Sequence, residues 1–546
     1  MKIEKTAEAI KKEFTAGQDY KSSIDLYDNY ALNEDFYIGN QWRGVDADDI
    51  PKIIVNGLGR VVGMQIAKIA TNDWTIQFTD FESSPENDAV AKMVAEQVDN
   101  VVERLNLKAK AKTALRNECV DGDACIFLDF DADADSGMNV PGMVTAEILE
   151  NINVYFGNPY SRDVQSQPWI IVHQRRFLGD VQDEARKNKV KEEDVLSIKP
   201  DEDSNQMESN PSSLVSVFVK FWKENKTVHR MKTVNELVLE KEVDTGLKLY
   251  PITWSSWEIK KSSMHGQAML TGLIDNQIAV NKGWSGIIYQ GLKNGFAVPI
   301  FATTRVKDWD GTLGRIIETR CGAGNVKDAV SYLEAAPLPM SIVNAVDMLM
   351  SSTRESMGSS DASTGNVRPD NAAAIIALQQ ADEHPLDLKR QAYHDMVEDM
   401  CRIIADIIRA CYGKRKVMMD TEVIENDGKK TVEKRLREFD FSKLEDLQMR
   451  MKVDVGVASL YSEQLQVQTF LNMLNAGMLN DPATLAVYLK VMPEKYILGR
   501  SYLEDYLKTY LQKLMEQNQP QQINPTPTPI ENQGEQALID NNPAQP

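Results

Sequence analysis

The chain has 546 residues and carries 61 Lys and Arg against 81 Asp and Glu, a formal net charge of −20. Single cores stop growing at roughly 250 to 300 residues, so this length calls for more than one folded unit. The acidic balance argues against tight wrapping of nucleic acid, which needs clustered cations to displace counterions, while leaving loose passage of DNA beside acidic walls open.

A hydrophobic share of 42% with 26% charged residues is that of a folded soluble protein. Apolar runs are cut by residues such as Asp275 and Lys282 well before the roughly 18 positions a membrane span needs. The opening MKIEKTAEAIKKEF lacks the apolar core of a secretory signal, so the chain is expected to stay in the cytoplasm where it is made. Cys119, Cys125, Cys321, Cys401 and Cys411 include no C-x-x-C pair, which suggests reduced, mostly buried thiols and neither a disulfide framework nor a zinc site.

In chain order, residues 4–38 read as helical, with Tyr20, Ile24, Tyr27 and Ala31 on one face and an end near Gly39. Next comes the apolar run Ile53, Ile54, Val55, followed by Gly57, Gly59 and Gly63 and a helix-like stretch. A second apolar segment, Trp74 to Phe78, ends at Asp80, roughly where a ribose-binding acid stands in a nucleotide-binding βαβ unit. The spacing G-x-G-x-x-x-G departs from that fingerprint, and the chain continues with one long helix and then consecutive strands. The nucleotide-binding oxidoreductase is therefore an alternative reading, and a plain strand-to-helix turn is favoured.

Ser84-Pro85 opens a helix through Val90, Val94, Val98, Val101 and Leu105. Strands are expected at Ala124 to Phe130, Val144 to Ile148, Trp169 to Arg176, Val215 to Trp222 and Glu236 to Val243, with Lys187 to Ser213 as a polar surface insertion. Asp129, Asp131, Asp133 and Asp135 resemble a calcium loop, but Gly137 is one place late and Gly142 stands where a bidentate Glu is required, so a solvated β-turn is preferred. His173, His229, His265, His384 and His394 have no metal-ligand spacing, and no nucleophile elbow or phosphate loop occurs. No catalytic constellation, cofactor or metal is expected.

From Ser262 a helix is expected to run to Asn294-Gly295, about 50 Å at about 1.5 Å per residue, with Gly266, Ala268, Gly272, Ala279, Gly283 and Gly286 permitting close packing. A small β or mixed segment, Ala297 to Ala336, leads to a second helix, Ser341 to Met357. Gly358 to Pro369 is rich in small and turn-forming residues and reads as a flexible loop. A helix from Asp370 or Asn371 to Cys411 should break at Pro385, and Lys416 to Ile424 with Thr431 to Phe439 should form a hairpin across Asp427-Gly428. Residues 460–516 read as helical, and the Gln, Asn and Pro of the last thirty residues as a disordered tail.

Two stretches together resemble the portal proteins of tailed double-stranded-DNA phages. One is DLYDNYALNEDFYIGNQW, with Asn33, Phe36, Tyr37, Gly39, Gln41 and Trp42, followed by PKIIVNGLGR. The other is the order helix, small β segment, helix, small-residue loop and NVRPDNAAAIIALQQADEHPLDLKRQ. The resemblance implies an α+β portal architecture: N-terminal helices and a mixed α/β wing (1–261), first stem helix (262–295), clip (296–339), second stem helix (340–357), tunnel loop (358–370), long wing helix and β-hairpin (371–455), helical crown (456–516) and disordered tail (517–546).

It further implies a dodecameric homo-oligomeric ring at one capsid vertex of the virion, assembled in the host bacterial cytoplasm, through which double-stranded DNA passes without sequence specificity. Implied partners are the large terminase subunit, a head-tail adaptor, and the major capsid and scaffolding proteins, with no membrane partner and no enzymatic activity. Ser359, Ser360, Asp361, Ser363, Thr364, Asn366 and Arg368 would face the DNA. Arg305, Lys307, Asp308, Trp309, Arg315 and Arg320 would serve docking at the clip. A capsid scaffold or adaptor without a channel is the other alternative, and the paired stem helices with their intervening loop speak against it.

Overall fold

The computed structural model describes residues 3–46, 50–70, 74–80, 85–135, 140–201, 213–294, 298–301, 330–333, 340–356, 384–424, 430–446 and 449–455, with isolated positions elsewhere. Thr6 caps helix α1 (Ala7–Ser23), its hydroxyl accepting from the Ala9 amide at 3.2 Å. The single helix expected over 4–38 is two, because Asp25 takes φ 55° and starts α2 (Leu26–Ile38) in a new direction; Gly39, at φ 92°, ends it.

Ile53 to Val55 form no strand. They lead into α3 (Gly57–Ile69), where the Asn56 side chain accepts from the Gly59 amide at 3.0 Å. β1 (Trp74–Asp80), α4 (Pro85–Arg104), α5 (Leu107–Asp121), β2 (Asp123–Asp131), β3 (Met143–Leu149), β4 (Val154–Phe156) and β5 (Trp169–Phe177) follow. Then come α6 (Leu178–Lys187), α7 (Glu192–Leu196), β6 (Leu214–Glu224), β7 (Thr227–Val234), β8 (Leu237–Asp244) and β9 (Ile252–Ser256). The remaining elements are α8 (Ile274–Asn294), β10 (Val298–Phe301), β11 (Val330–Leu333), α9 (Met340–Ser356), α10 (Asp387–Cys411), β12 (Lys414–Ile424), β13 (Lys430–Asp440) and β14 (Met449–Val455).

The fold is α+β. An antiparallel sheet of order β4-β5-β6-β7-β8 and a second of order β3-β2-β9 make up the larger β region, and β12 pairs with β13 as a hairpin. Asn225 and Lys226, at φ 51° and 70°, form the tight β6–β7 turn, whose two left-handed residues match the twist of the strands. β7 escapes sequence reading because His229, Arg230 and Lys232 stand among its apolar residues; its pairing with β8 shifts register near Lys232, with the extra residues on β8. β1 pairs antiparallel with β14, from the far end of this unit, so no parallel βαβ surrounds Gly57, Gly59 and Gly63. The oxidoreductase alternative loses its scaffold.

α10 runs through the main core, burying Tyr393, Met396, Val397, Met400, Cys401, Ile403, Ile404, Ile407 and Ile408. A 3₁₀ turn at His384–Leu386 precedes it, where Pro385 was expected to interrupt a longer helix. A smaller core lies under α1, whose Ile10 and Phe14 pack on Tyr155, Trp169, Phe218 and Trp222. The stretch after Lys187 is not merely a polar insertion, since Val195 and Ile198 join the main core and Asp201 accepts from Ser216 at 2.8 Å. The chain divides into two units, Met1–Gly456 and Val457–Pro546, and every named element lies in the first. The helix expected over 371–383, the Asp427-Gly428 turn, the tail and nearly all of the 460–516 region fall outside the described residues.

Candidate functional site

The helix expected from Ser262 begins twelve residues later. α8 starts at Ile274, after a short 3₁₀ turn, and its 21 residues make it about 32 Å long at about 1.5 Å per residue. Residues 262–270 cannot be helical because they are wrapped onto the α5–β2 junction. Gly122, at φ 94°, brings its backbone so close that an added Cβ would lie 2.9 Å from the Ala268 amide nitrogen. Gly266 is equally enclosed, with Ser256 Cβ at 2.7 Å and the Glu258 carbonyl at 2.8 Å from such an atom. Gly266 and Ala268 therefore serve this junction, while Gly272 stands exposed in the 3₁₀ turn before α8 with nothing within 4 Å of an added Cβ.

The centre of the junction is Asp123. Its Oδ1 accepts from Ser256 Oγ at 2.6 Å and from the Gly266 amide at 2.8 Å; its Oδ2 accepts from His265 Nδ1 at 2.9 Å and Asn151 Nδ2 at 3.3 Å. A carboxylate can only accept, so the His265 proton sits on Nδ1. Burial holds the His265 pKa below its ordinary value despite the pull of Asp123. Lys389, in the first turn of α10, donates to the Trp257 carbonyl and to Glu258 at 2.7 Å, with its ammonium 4.9 Å from the Trp257 ring centroid. One short segment, 256–269, thus holds both the chain leaving for α8 and the chain returning into α10.

Along α8, Gln277, Asn281 and Ser285 fall at i, i+4 and i+8 and are all buried. They supply hydrogen bonds to the backbone of 53–55, which is in no strand. Gln277 donates to the Val55 carbonyl at 2.7 Å, Asn281 Oδ1 accepts from the Val55 amide at 3.1 Å, and Ser285 accepts from the Ile53 amide at 3.2 Å. Unpaired buried backbone groups are costly, so this side-chain row determines where the strap lies.

All six residues of the N-terminal signature sit around this clasp or the junction below it. Gln41 accepts from Asn281 Nδ2 at 2.5 Å and donates to the Phe36 carbonyl at 2.9 Å. Trp42 donates to the Ile53 carbonyl at 3.0 Å, and the Tyr37 carbonyl accepts from Asn56 at 2.9 Å. Phe36 belongs to the main core, Gly39 provides the left-handed turn between α2 and the strap, and Asn33 donates to the Val120 carbonyl at 2.8 Å and Thr271 at 3.1 Å. Sequence reading missed the partners Gln277, Asn281, Ser285, Asp123 and Lys389. A row of amides and hydroxyls at fourfold spacing on a helix was the available signal for the first three.

α8 and α9 lie side by side. A Cβ on Gly283 would lie 2.5 Å from Val346 Cγ2, so the absence of a side chain sets how closely they approach. Beyond α8 the chain enters β10, which pairs antiparallel with β11 from Val298 with Leu333 to Phe301 with Val330. Of the expected clip residues, Arg320 is exposed, while Arg305, Lys307, Asp308, Trp309 and Arg315 lie outside the described residues. Ser359, Ser360, Asp361, Ser363, Thr364, Asn366 and Arg368 lie outside them too.

The tempting chemical groups have structural partners. Asp129 takes Arg230 at 3.0 Å and Asp133 takes Lys187 at 3.1 Å, so these acids of the calcium-like string hold the sheets and α6. Glu224, His229 and Glu242 converge as a metal-type group, but the Lys5 ammonium bridges the two carboxylates at 2.7 and 2.8 Å. A cleft of about 820 Å³ between the sheets is lined by Glu147, Gln174, Arg175, Arg176 and Lys232; Arg176 and Lys232 pair with Glu184, and Arg175 pairs with Asp201 at 3.5 Å. No helix among the described residues is long and apolar enough to cross a membrane.

No curated protein matches the chain. A family model described as phage P22-like portal protein matches residues 176–545, a span that includes α8, β10, β11, α9 and α10 and begins after the signature residues 33–42. More than half of the chain is covered, and the chain belongs to the phage P22-like portal protein family.

Proposed function

We propose that this portal protein forms a dodecameric ring at one capsid vertex and serves as the conduit through which double-stranded DNA enters during packaging and leaves on ejection. The observation that carries this reading is the α8–α9 hairpin: two helices in close contact, closed at one end by β10–β11 and fastened at the other by the Asp123 junction. Repeated around an axis, such a hairpin makes a channel wall. In this reading α8 and α9 are the stem, 296–339 the clip, 358–370 the tunnel loop, 456–516 the crown, and the mixed α/β region the wing.

The ring acts structurally, and the motor is a separate ATP-driven large terminase that docks at the clip and is later replaced by a head-tail adaptor. Short polar side chains at 359–368 touch DNA without reading bases, which would need bidentate groups in a groove. The acidic balance of the chain favours sliding over retention, because phosphate meets few cations that would release counterions. Major capsid and scaffolding proteins are the remaining contacts of a vertex ring. Negative-stain images of the purified full chain test the reading: rings with a central hole are expected, and closed dimers or other compact assemblies without a hole contradict it.

A further inference from the structure

The stem hairpin also indicates which surfaces of neighbouring subunits meet. α8 and α9 are antiparallel, since the end of α8 and the start of α9 are joined through the antiparallel β10–β11 pair. The Gly283 contact with Val346 sets their register. Lys282 comes one residue before that contact and Asp347 one residue after it, so the two stand at nearly one height along the hairpin.

One residue turns a helix by about 100°. A step backwards on one helix and forwards on its antiparallel neighbour carries the two side chains to opposite sides of the hairpin. Both Lys282 and Asp347 are exposed. Ala279 and Gly286, three residues before Lys282 and four after it, share its side of α8 and are exposed as well. A Cβ added to Gly286 would meet nothing within 4 Å, so this face is open and shallow. Asp275 and Lys293 lie on the same side but two turns below and three turns above, away from the height of Asp347.

We propose that successive subunits meet head to tail through the stem, with Lys282 of one copy paired to Asp347 of the next and the next copy's α9 seated over Ala279 and Gly286. This rests on the ring reading above. Two different faces of one hairpin make a heterologous contact, the type that closes into a ring when the rotation permits. Rotation about a ring axis keeps heights unchanged, so groups level within one stem running along the axis stay level between neighbours. Opposite charges placed this way set register and orientation.

The test uses the full chain at low ionic strength, with ring yield read by mass photometry. The unaltered protein forms rings, while Lys282→Glu and Asp347→Lys each lower ring yield several-fold by facing like charges. The double variant K282E/D347K restores it, and so does mixing the two single variants, which then alternate around the ring. Circular dichroism of each variant should match the unaltered chain, because both positions are exposed. If either single variant assembles as well as the unaltered protein, or if neither the double variant nor the mixture recovers rings, the contact is overturned while the ring reading stands. If the unaltered chain forms no rings, alone or co-expressed with its capsid proteins, both fall.

Discussion

α8 and α9, the two helices of the proposed stem, are held in different ways. α8 is fastened by directional bonds, with Gln277, Asn281 and Ser285 completing the 53–55 strap and the Asp123 junction holding the segment that feeds it. α9 buries only Val346 and Thr353 among its side chains, and the Thr353 hydroxyl bonds back to its own Leu349 carbonyl at 2.7 Å. Its seat on α8 is one of shape, Val346 against the bare backbone of Gly283. Directional bonds fail abruptly when displaced, whereas a van der Waals contact tolerates sliding. The difference makes α8 the fixed rail of the proposed stem and α9 the adaptable one.

Breaking the fixed side gives the largest effect. Asp123→Ala leaves Ser256, His265, Asn151 and the Gly266 amide without their buried acceptor, and a loss of about 4 kcal/mol in chemical denaturation is expected. A change under about 1 kcal/mol would show that the junction does not fasten the stem.

Glu118 adjoins the same junction, and burial pushes its carboxyl up to about 7. A folded pKa above the unfolded one means the neutral form is favoured in the fold. Stability is therefore lost as pH rises from the ordinary value of 4.5 through about 7 and is level above that, by about 3 kcal/mol in total. Glu118→Gln should remove that slope and raise the melting temperature at pH 8 relative to the unaltered chain; an unchanged pH profile would refute the assignment.

Asn281→Leu unpairs the Val55 amide and Gln41, at an expected cost of about 2 kcal/mol, with hydrogen exchange at residues 51–56 rising as its local signature. The smallest effects compare two glycines. Gly283→Ala should cost about 1 kcal/mol by pushing Val346 away. Gly286→Ala, with open space around it in the monomer, should stabilise the unassembled chain by up to about 1 kcal/mol through helix propensity. Equal effects at the two positions in thermal melts would erase the claim that the fit of Val346 on Gly283 seats α9.

Periodicity and caps made the elements of the α+β fold broadly legible, including β2, β3, β5, β6, β8, α4 and the stem helices. The failures share a cause, which is that contacts distant in sequence overrode local pattern. The 262–270 segment carries small residues suited to a helix, yet Gly122, Asp123 and Cys119 hold it in another shape. Ile53 to Val55 read as a strand because they form an apolar run, but their partners are side chains of α8 and not another strand. The N-terminal signature was legible only as a resemblance. Asn33, Gln41 and Trp42 gain a physical reason when the strap and α8 are placed between them. The residues expected to dock partners or to face DNA lie outside the described residues, apart from the exposed Arg320.

The central claim concerns where the α8–α9 hairpin stands in an assembly. A cryo-electron microscopy reconstruction of the oligomer tests it most directly. The account predicts helices 274–294 and 340–356 of every copy running beside an axial hole, with α8 still strapped by residues 53–55. Density that places these helices on the outer rim, or sealed inside an assembly with no hole, would contradict it.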